Sequence, residues 1–114
     1  MIYWRGRDIL FMKDCCGNGG HMGMSLVFEW DEEKAERNLE KHGVLFETAA
    51  KVFLDENRIE IYDEAHSLDE DRYITIGLAG DVLFVVYTER CPKIRLISAR
   101  LATARERKVY YGNI

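Results

Sequence analysis

The chain has 114 residues, 47% of them apolar, which supports one hydrophobic core and therefore one domain. A formal net charge of −4 argues against a protein that coats nucleic acid through a uniformly basic surface, and three cysteines without framework spacing argue against a disulfide scaffold and for a reducing cytoplasm. The longest apolar run near the start, Ile9 to Met12, is too short for a signal peptide or a membrane span.

Residues 1–23 differ in kind from the rest. Cys15, Cys16, Gly17, Gly19, Gly20 and Gly23 crowd this stretch and no hydrophobic period is sustained, so it reads as a disordered N-terminal extension ahead of a working domain at residues 24–114. Adjacent Cys15 and Cys16, even with His21, lack the gap that lets two thiolates share one tetrahedral metal, and no Gly-Lys-Ser/Thr follows Gly17 to Gly20 to make a phosphate loop. No metal and no cofactor is expected.

Leu26 to Trp30 has the composition of a short strand. Asp31 then reads as a helix N-cap, with Glu32 and Glu33 against the positive end of the dipole and Gly43 closing the helix. Ala35, Asn38, Leu39 and His42 fall on one face at helical spacing. In a second helix, Phe46, Ala49, Ala50 and Phe53 form an apolar stripe able to cover one face of a sheet. From Arg58 the period changes to two: Ile59 and Ile61, then Ile74, Ile76 and Leu78, mark two half-buried strands around the polar connection Asp63 to Asp71. Leu83 to Tyr87 is a continuous apolar run suited to a central strand covered on both faces, and Lys93 to Ala99 alternates enough to lie beside it as a hairpin. Thr103-Ala-Arg-Glu106 has the capping-box pattern that starts a last helix. The expected fold is α+β: an antiparallel sheet of about five strands, two N-terminal helices packed on one face, and a C-terminal helix.

Charge is polarised along this order. Glu29 to Arg72 holds 15 acidic and 6 basic residues, net −9, whereas Glu89 to Lys108 holds 7 basic and 2 acidic, net +5. The basic end is the candidate contact for an anionic partner.

Several ordered motifs belong together. Phe28-Glu-Trp-Asp31, Asn38-Leu-Glu-Lys-His-Gly43, Glu64-Ala-His-Ser67 with Glu70 and Arg72, Tyr87-Thr-Glu-Arg90, and Ile97-Ser-Ala-Arg100 with Glu106 and Tyr110 resemble the BrnT family over about Leu26 to Tyr110. The resemblance implies a cytoplasmic ribonuclease toxin of a type II toxin–antitoxin pair, with a fold similar to the RelE toxins. It also implies a BrnA-type antitoxin that neutralises the toxin and represses their shared operon, in a dimer of toxin–antitoxin pairs.

Metal-independent RNA cleavage requires a base and an acid around the 2′-OH and cationic stabilisation of the charge that develops on phosphate. Arginine suits the last role because its planar fork binds phosphate oxygens bidentately. Arg100 and Arg105 follow a buried strand, and Arg105, sharing a helical face with Ala102 and Val109, is expected to point toward the sheet; Arg72 is the third catalytic candidate. The ordinary alternative for each is a surface arginine. His66, in the loop with Glu64, Ser67 and Glu70, and His42, just before Gly43, are the candidate acid–base groups, against the plainer readings of a solvated loop histidine and a histidine favouring a helix C-terminus. Arg90, Lys93, Arg107 and Lys108 are candidates for RNA binding, and Tyr87 for base stacking, although such tyrosines more often pack a core. A toxin relative without catalysis, serving as a binding module in an operon-repressing complex, is the alternative function.

Overall fold

The computed structural model describes residues 2–8, 25–68, 70–90 and 93–112, with side chains from Val27 onward. In chain order the elements are β1 (Ile2–Asp8), β2 (Ser25–Trp30), α1 (Glu32–His42) and α2 (Phe46–Lys51), which tightens into a 3₁₀ turn at Val52–Leu54. β3 (Ile59–Tyr62) follows, then a second 3₁₀ turn at Glu64–His66, β4 (Tyr73–Ala79), β5 (Asp81–Arg90), β6 (Lys93–Leu101) and α3 (Ala104–Gly112).

Local chemistry places the helix ends where the residues indicate. Asp31 accepts the Glu33 N–H at 2.9 Å, and Gly43 adopts φ of 71° as its N–H donates to the Leu39 carbonyl, a left-handed conformation that glycine takes without penalty. At the other end of the chain, Thr103 N–H donates to Glu106 Oε1 at 2.8 Å while Glu106 N–H donates to Thr103 Oγ1 at 3.1 Å, a complete capping box.

The six strands form one sheet in the order β1-β2-β6-β5-β4-β3. β3, β4, β5 and β6 are joined antiparallel, as the short connections require, and the hairpin of β5 and β6 is its centre. The sheet is nevertheless mixed, not antiparallel throughout: β2 runs parallel to β6, with Val27, Phe28 and Glu29 opposite Lys93, Ile94 and Arg95. Turn lengths could not reveal this, because the pair joins segments more than sixty residues apart, and only the path of the intervening helices and strands fixes their relative direction. Of the expected extension, residues 2–8 form β1, antiparallel to β2; residues 9–24, with Cys15, Cys16 and His21, lie outside the described residues, as do Cys91 and Pro92.

Alternation sorts the side chains onto two faces. Phe28, Trp30, Leu83, Val85, Tyr87, Ile94, Leu96 and Ala99 meet the apolar stripe of α2 and the 3₁₀ turn after it, where Phe46, Ala49, Ala50, Val52 and Phe53 are all buried. Within this core Trp30 meets Phe46 edge-on and Phe53 lies between Phe28 and Tyr87. The other face carries a smaller cluster, in which Tyr110 of α3 and Ala102 bury Ile76 and Val82.

α1 departs from simple amphipathicity. Leu39 is exposed, and the residue that points inward is Asn38. Its amide Nδ2 donates to the carbonyls of Ala99 at 2.8 Å and Val44 at 3.0 Å, and its Oδ1 accepts the Ala99 N–H at 3.0 Å. β2 pairs with β6 only as far as Arg95, so Asn38 serves Ala99 as a strand neighbour would.

Candidate nucleic-acid interface

Among the described residues α3 covers one end of its face, and along the rest the side chains stand in rows, some half-buried and others, such as Glu29 and Thr88, buried. Strand register aligns Ile59, Ile76, Phe84 and Arg100 in one row, Ile61, Ile74, Val86 and Ser98 in the next, and Thr88, Arg95 and Glu29 in a third. Between the second and third rows β6 is bulged at Ile97, since Val86 pairs with Ser98 but Tyr87 with Leu96. Phe84 and Val86 stay half-buried, so the central strand is fully covered on the helix side only.

Arg95 approaches Glu29 at 3.8 Å, with 15% and 8% of the two side chains exposed, a guanidinium–carboxylate pair set into the sheet floor. Sequence reasoning missed both residues. The signal was present: Arg95 stands between Ile94 and Leu96 in a strand of period two, which forces it onto the face opposite the main core.

Arg100 does reach this face, but it is engaged. Its fork donates to Glu106 at 2.8 and 2.9 Å, and the guanidinium carbon lies 3.8 Å from the centre of the Phe84 ring. The Arg100 hydrogen bond holds the Glu106 carboxyl below its ordinary range; burial opposes the shift and the Thr103 N–H assists it. Arg72, immediately before β4, is half-buried; its backbone N–H donates to Ser67 Oγ at 2.9 Å, and its guanidinium has no partner among the described residues.

Arg105 is exposed and faces solvent with Val109, which corrects the expectation that it points to the sheet. Ala102, Glu106 and Tyr110, spaced by four, are the inward row of α3, because the capping box turns Glu106 back onto Thr103 and Arg100. Arg107 donates to the Ala102 carbonyl at 3.2 Å, Lys108 is exposed, and Arg90 pairs with Glu70 at 3.3 Å. Lys93 opens β6 and is half-buried.

Tyr87 is not available for base stacking. It is 2% exposed on the helix-covered face, packed against Phe53 and Tyr73, and its hydroxyl donates to Glu60 at 2.7 Å. Its hydroxyl pKa is pushed far up by burial and by the Glu60 carboxylate. Of the histidines, His66 is exposed, with Nδ1 3.0 Å from Asp63, in the loop that leads to Arg72, whereas His42 ends α1 on the layer covering the opposite face. Thus one sheet face gathers Arg95, Arg100 and Glu29, Arg72 flanks it, and His42 and Tyr87 belong to the other side. Among the described residues no three His, Cys, Asp or Glu side chains cluster as a metal site requires, and no helix is long and apolar enough to cross a membrane.

These features define a small α+β protein in which, among the described residues, one sheet face meets a helix only at one end and carries Arg95 and Arg100. Residues 30–106 match the family model of BrnT, the ribonuclease toxin of type II toxin–antitoxin systems, and the chain belongs to that family. Membership carries with it RNA as target and a protein antitoxin as partner. No curated protein sequence matches the chain significantly.

Proposed function

We propose that the chain is a cytoplasmic endoribonuclease of RelE-like fold that cleaves RNA without a metal ion at the sheet face that carries Arg95 and Arg100, and that a BrnA-type antitoxin neutralises it within a dimer of toxin–antitoxin pairs. The observation that carries this reading is the placement of Arg95 and Arg100 along one face of β6 in a ribonuclease toxin, with the guanidinium of Arg72, which has no partner among the described residues, at its edge. Arg72 and Arg95 bind the scissile phosphate, Arg105 and Lys108 hold the flanking backbone, and Arg100 braces α3 beside them. The 2′-OH attacks the adjacent phosphorus and the 5′-oxygen departs, leaving a 2′,3′-cyclic phosphate; His66, carried by the loop before Arg72, is the candidate to take the 2′-hydroxyl proton or to return one to the departing oxygen. An antitoxin that covers this face with acidic groups blocks phosphate entry.

Cleavage of single-stranded RNA and of ribosome-bound message is expected to persist in chelator. Arg72→Ala and Arg105→Ala are expected to stay folded by circular dichroism, with Arg72→Ala losing about a hundred- to a thousandfold in rate, as a transition-state contact of about 2.7–4 kcal/mol implies. Activity restored only by Mg²⁺, or a folded Arg72→Ala that cuts at the wild-type rate, would overturn the assignment. The bidentate capture of Arg100 by Glu106 favours one second reading, a non-catalytic module within a repressor complex, and toxicity on expression separates the two.

A further inference from the structure

On the helix-covered face, beyond the end of α2, the strands β3, β4 and β5 enclose a cavity of about 80 Å³ lined by Glu60, Ile61, Tyr62, Tyr73, Tyr87 and Glu89. We infer that this cavity receives an arginine or lysine side chain from an extended segment of the antitoxin, laid along the edge of β3; the inference rests on the reading that a protein antitoxin is the partner.

The walls are aromatic and their rings are held in place. Tyr73 stacks on buried Tyr87 with centroids 5.6 Å apart, Tyr62 meets Tyr73 edge-on at 5.6 Å, and the Tyr62 hydroxyl is tied to Asp71 at 2.9 Å. The polar groups are acidic. Both protein donors to Glu60, the Tyr87 hydroxyl at 2.7 Å and Arg58 at 3.3 Å, use the same oxygen, so Oε1 has no hydrogen-bond partner among the described residues. Arg58, the second donor to Glu60, lies back over the Phe53 ring, 5.5 Å from its centre. The carboxylates of Glu60 and Glu89 line the cavity, and that of Asp71 borders it through Tyr62. The Tyr73 hydroxyl registers the resulting field: burial first, then Glu89 and Asp71, raise its pKa above the ordinary value.

Charge chooses the occupant, and the cavity has room for a guanidinium or ammonium head. A phosphate would be repelled. Aromatic faces beside carboxylates suit a desolvated cation. Among the described residues β3 is an edge strand, paired only with β4, and its outer backbone groups offer a partner chain a ladder on which to reach the cavity.

The test uses Glu60→Gln and Tyr62→Leu, two substitutions at exposed edge positions, in the full chain. Calorimetric affinity for a purified BrnA-type antitoxin and RNA cleavage by the free toxin are the readouts. Antitoxin affinity is expected to fall about ten- to hundredfold for each variant, the Glu60→Gln loss shrinking in high salt, while RNA cleavage stays at the wild-type rate. Unchanged antitoxin affinity would overturn the inference, and reduced RNA cleavage with unchanged antitoxin affinity would assign the cavity to substrate instead. A wild-type chain that binds no antitoxin at all would remove the partner reading itself, a distinct outcome.

Discussion

Asn38 is a polar residue in a helix face that its neighbours mark as apolar, and its three backbone partners explain why. Replacing it with Ala would strand the Ala99 N–H and two carbonyls in a buried place, whereas Leu39 beside it could be exchanged at little cost. Asn38→Ala is expected to lower the unfolding free energy by about 2–4 kcal/mol in urea titrations. A loss near zero would show that water replaces the amide and that α1 does not depend on this anchor.

At the scale of elements, the contact of β4 with the 3₁₀ turn after α2 depends on the absence of a side chain. A Cβ placed on Gly77 would stand 2.7 Å from Val52 Cγ1 and 3.0 Å from Arg58 Cβ, distances that force the turn away from the strand. Gly77→Ala is expected to cost about 1–3 kcal/mol, seen as a lower Tm, because the gain from a less flexible unfolded chain is smaller than the overpacking. A Tm at or above the wild type would mean that Val52 simply changes rotamer. The same turn carries Asp55, whose Oδ2 accepts the Tyr110 hydroxyl at 2.5 Å and the Leu78 N–H at 2.8 Å, so α2, β4 and α3 meet at one carboxylate.

For the whole molecule, that junction gives stability a pH dependence at both extremes. Burial pushes the Asp55 carboxyl up, but the Tyr110 hydroxyl and the Leu78 and Asn57 N–H groups outweigh it and leave the pKa below the ordinary 3.8; Glu106 is likewise held below 4.5. Carboxyls depressed in this way stabilise the fold above their unfolded values, and that contribution is lost as the pH falls through the lower folded ones. Tyr110 is opposite in sense: burial, then Asp55, raise its pKa from 10.0 to about 12, so its contribution is complete below 10.0 and disappears as the pH rises through about 12. Urea unfolding followed against pH is expected to show both limbs, and Tyr110→Phe is expected to flatten the alkaline one. An alkaline limb unchanged in Tyr110→Phe would assign it to another group.

The helix ends, the Phe46–Phe53 stripe, the β5–β6 hairpin and the Thr103–Glu106 box were legible in the sequence because each depends on residues a few positions apart, whose spacing alone sets the hydrogen bond or the shared face. The motifs also carried the family. What lay out of reach depends on which distant segments meet. The parallel pairing of β2 with β6 decides that Glu29 lies against Arg95, and the packing of α3 through Glu106 and Tyr110 decides that Arg105 faces solvent while Arg100 is engaged. Tyr87 reads equally well as platform or core until Phe53 and Glu60 are placed around it. Local spacing determines an element and its faces; only the tertiary fold determines which face is covered, and so which charges remain at the surface.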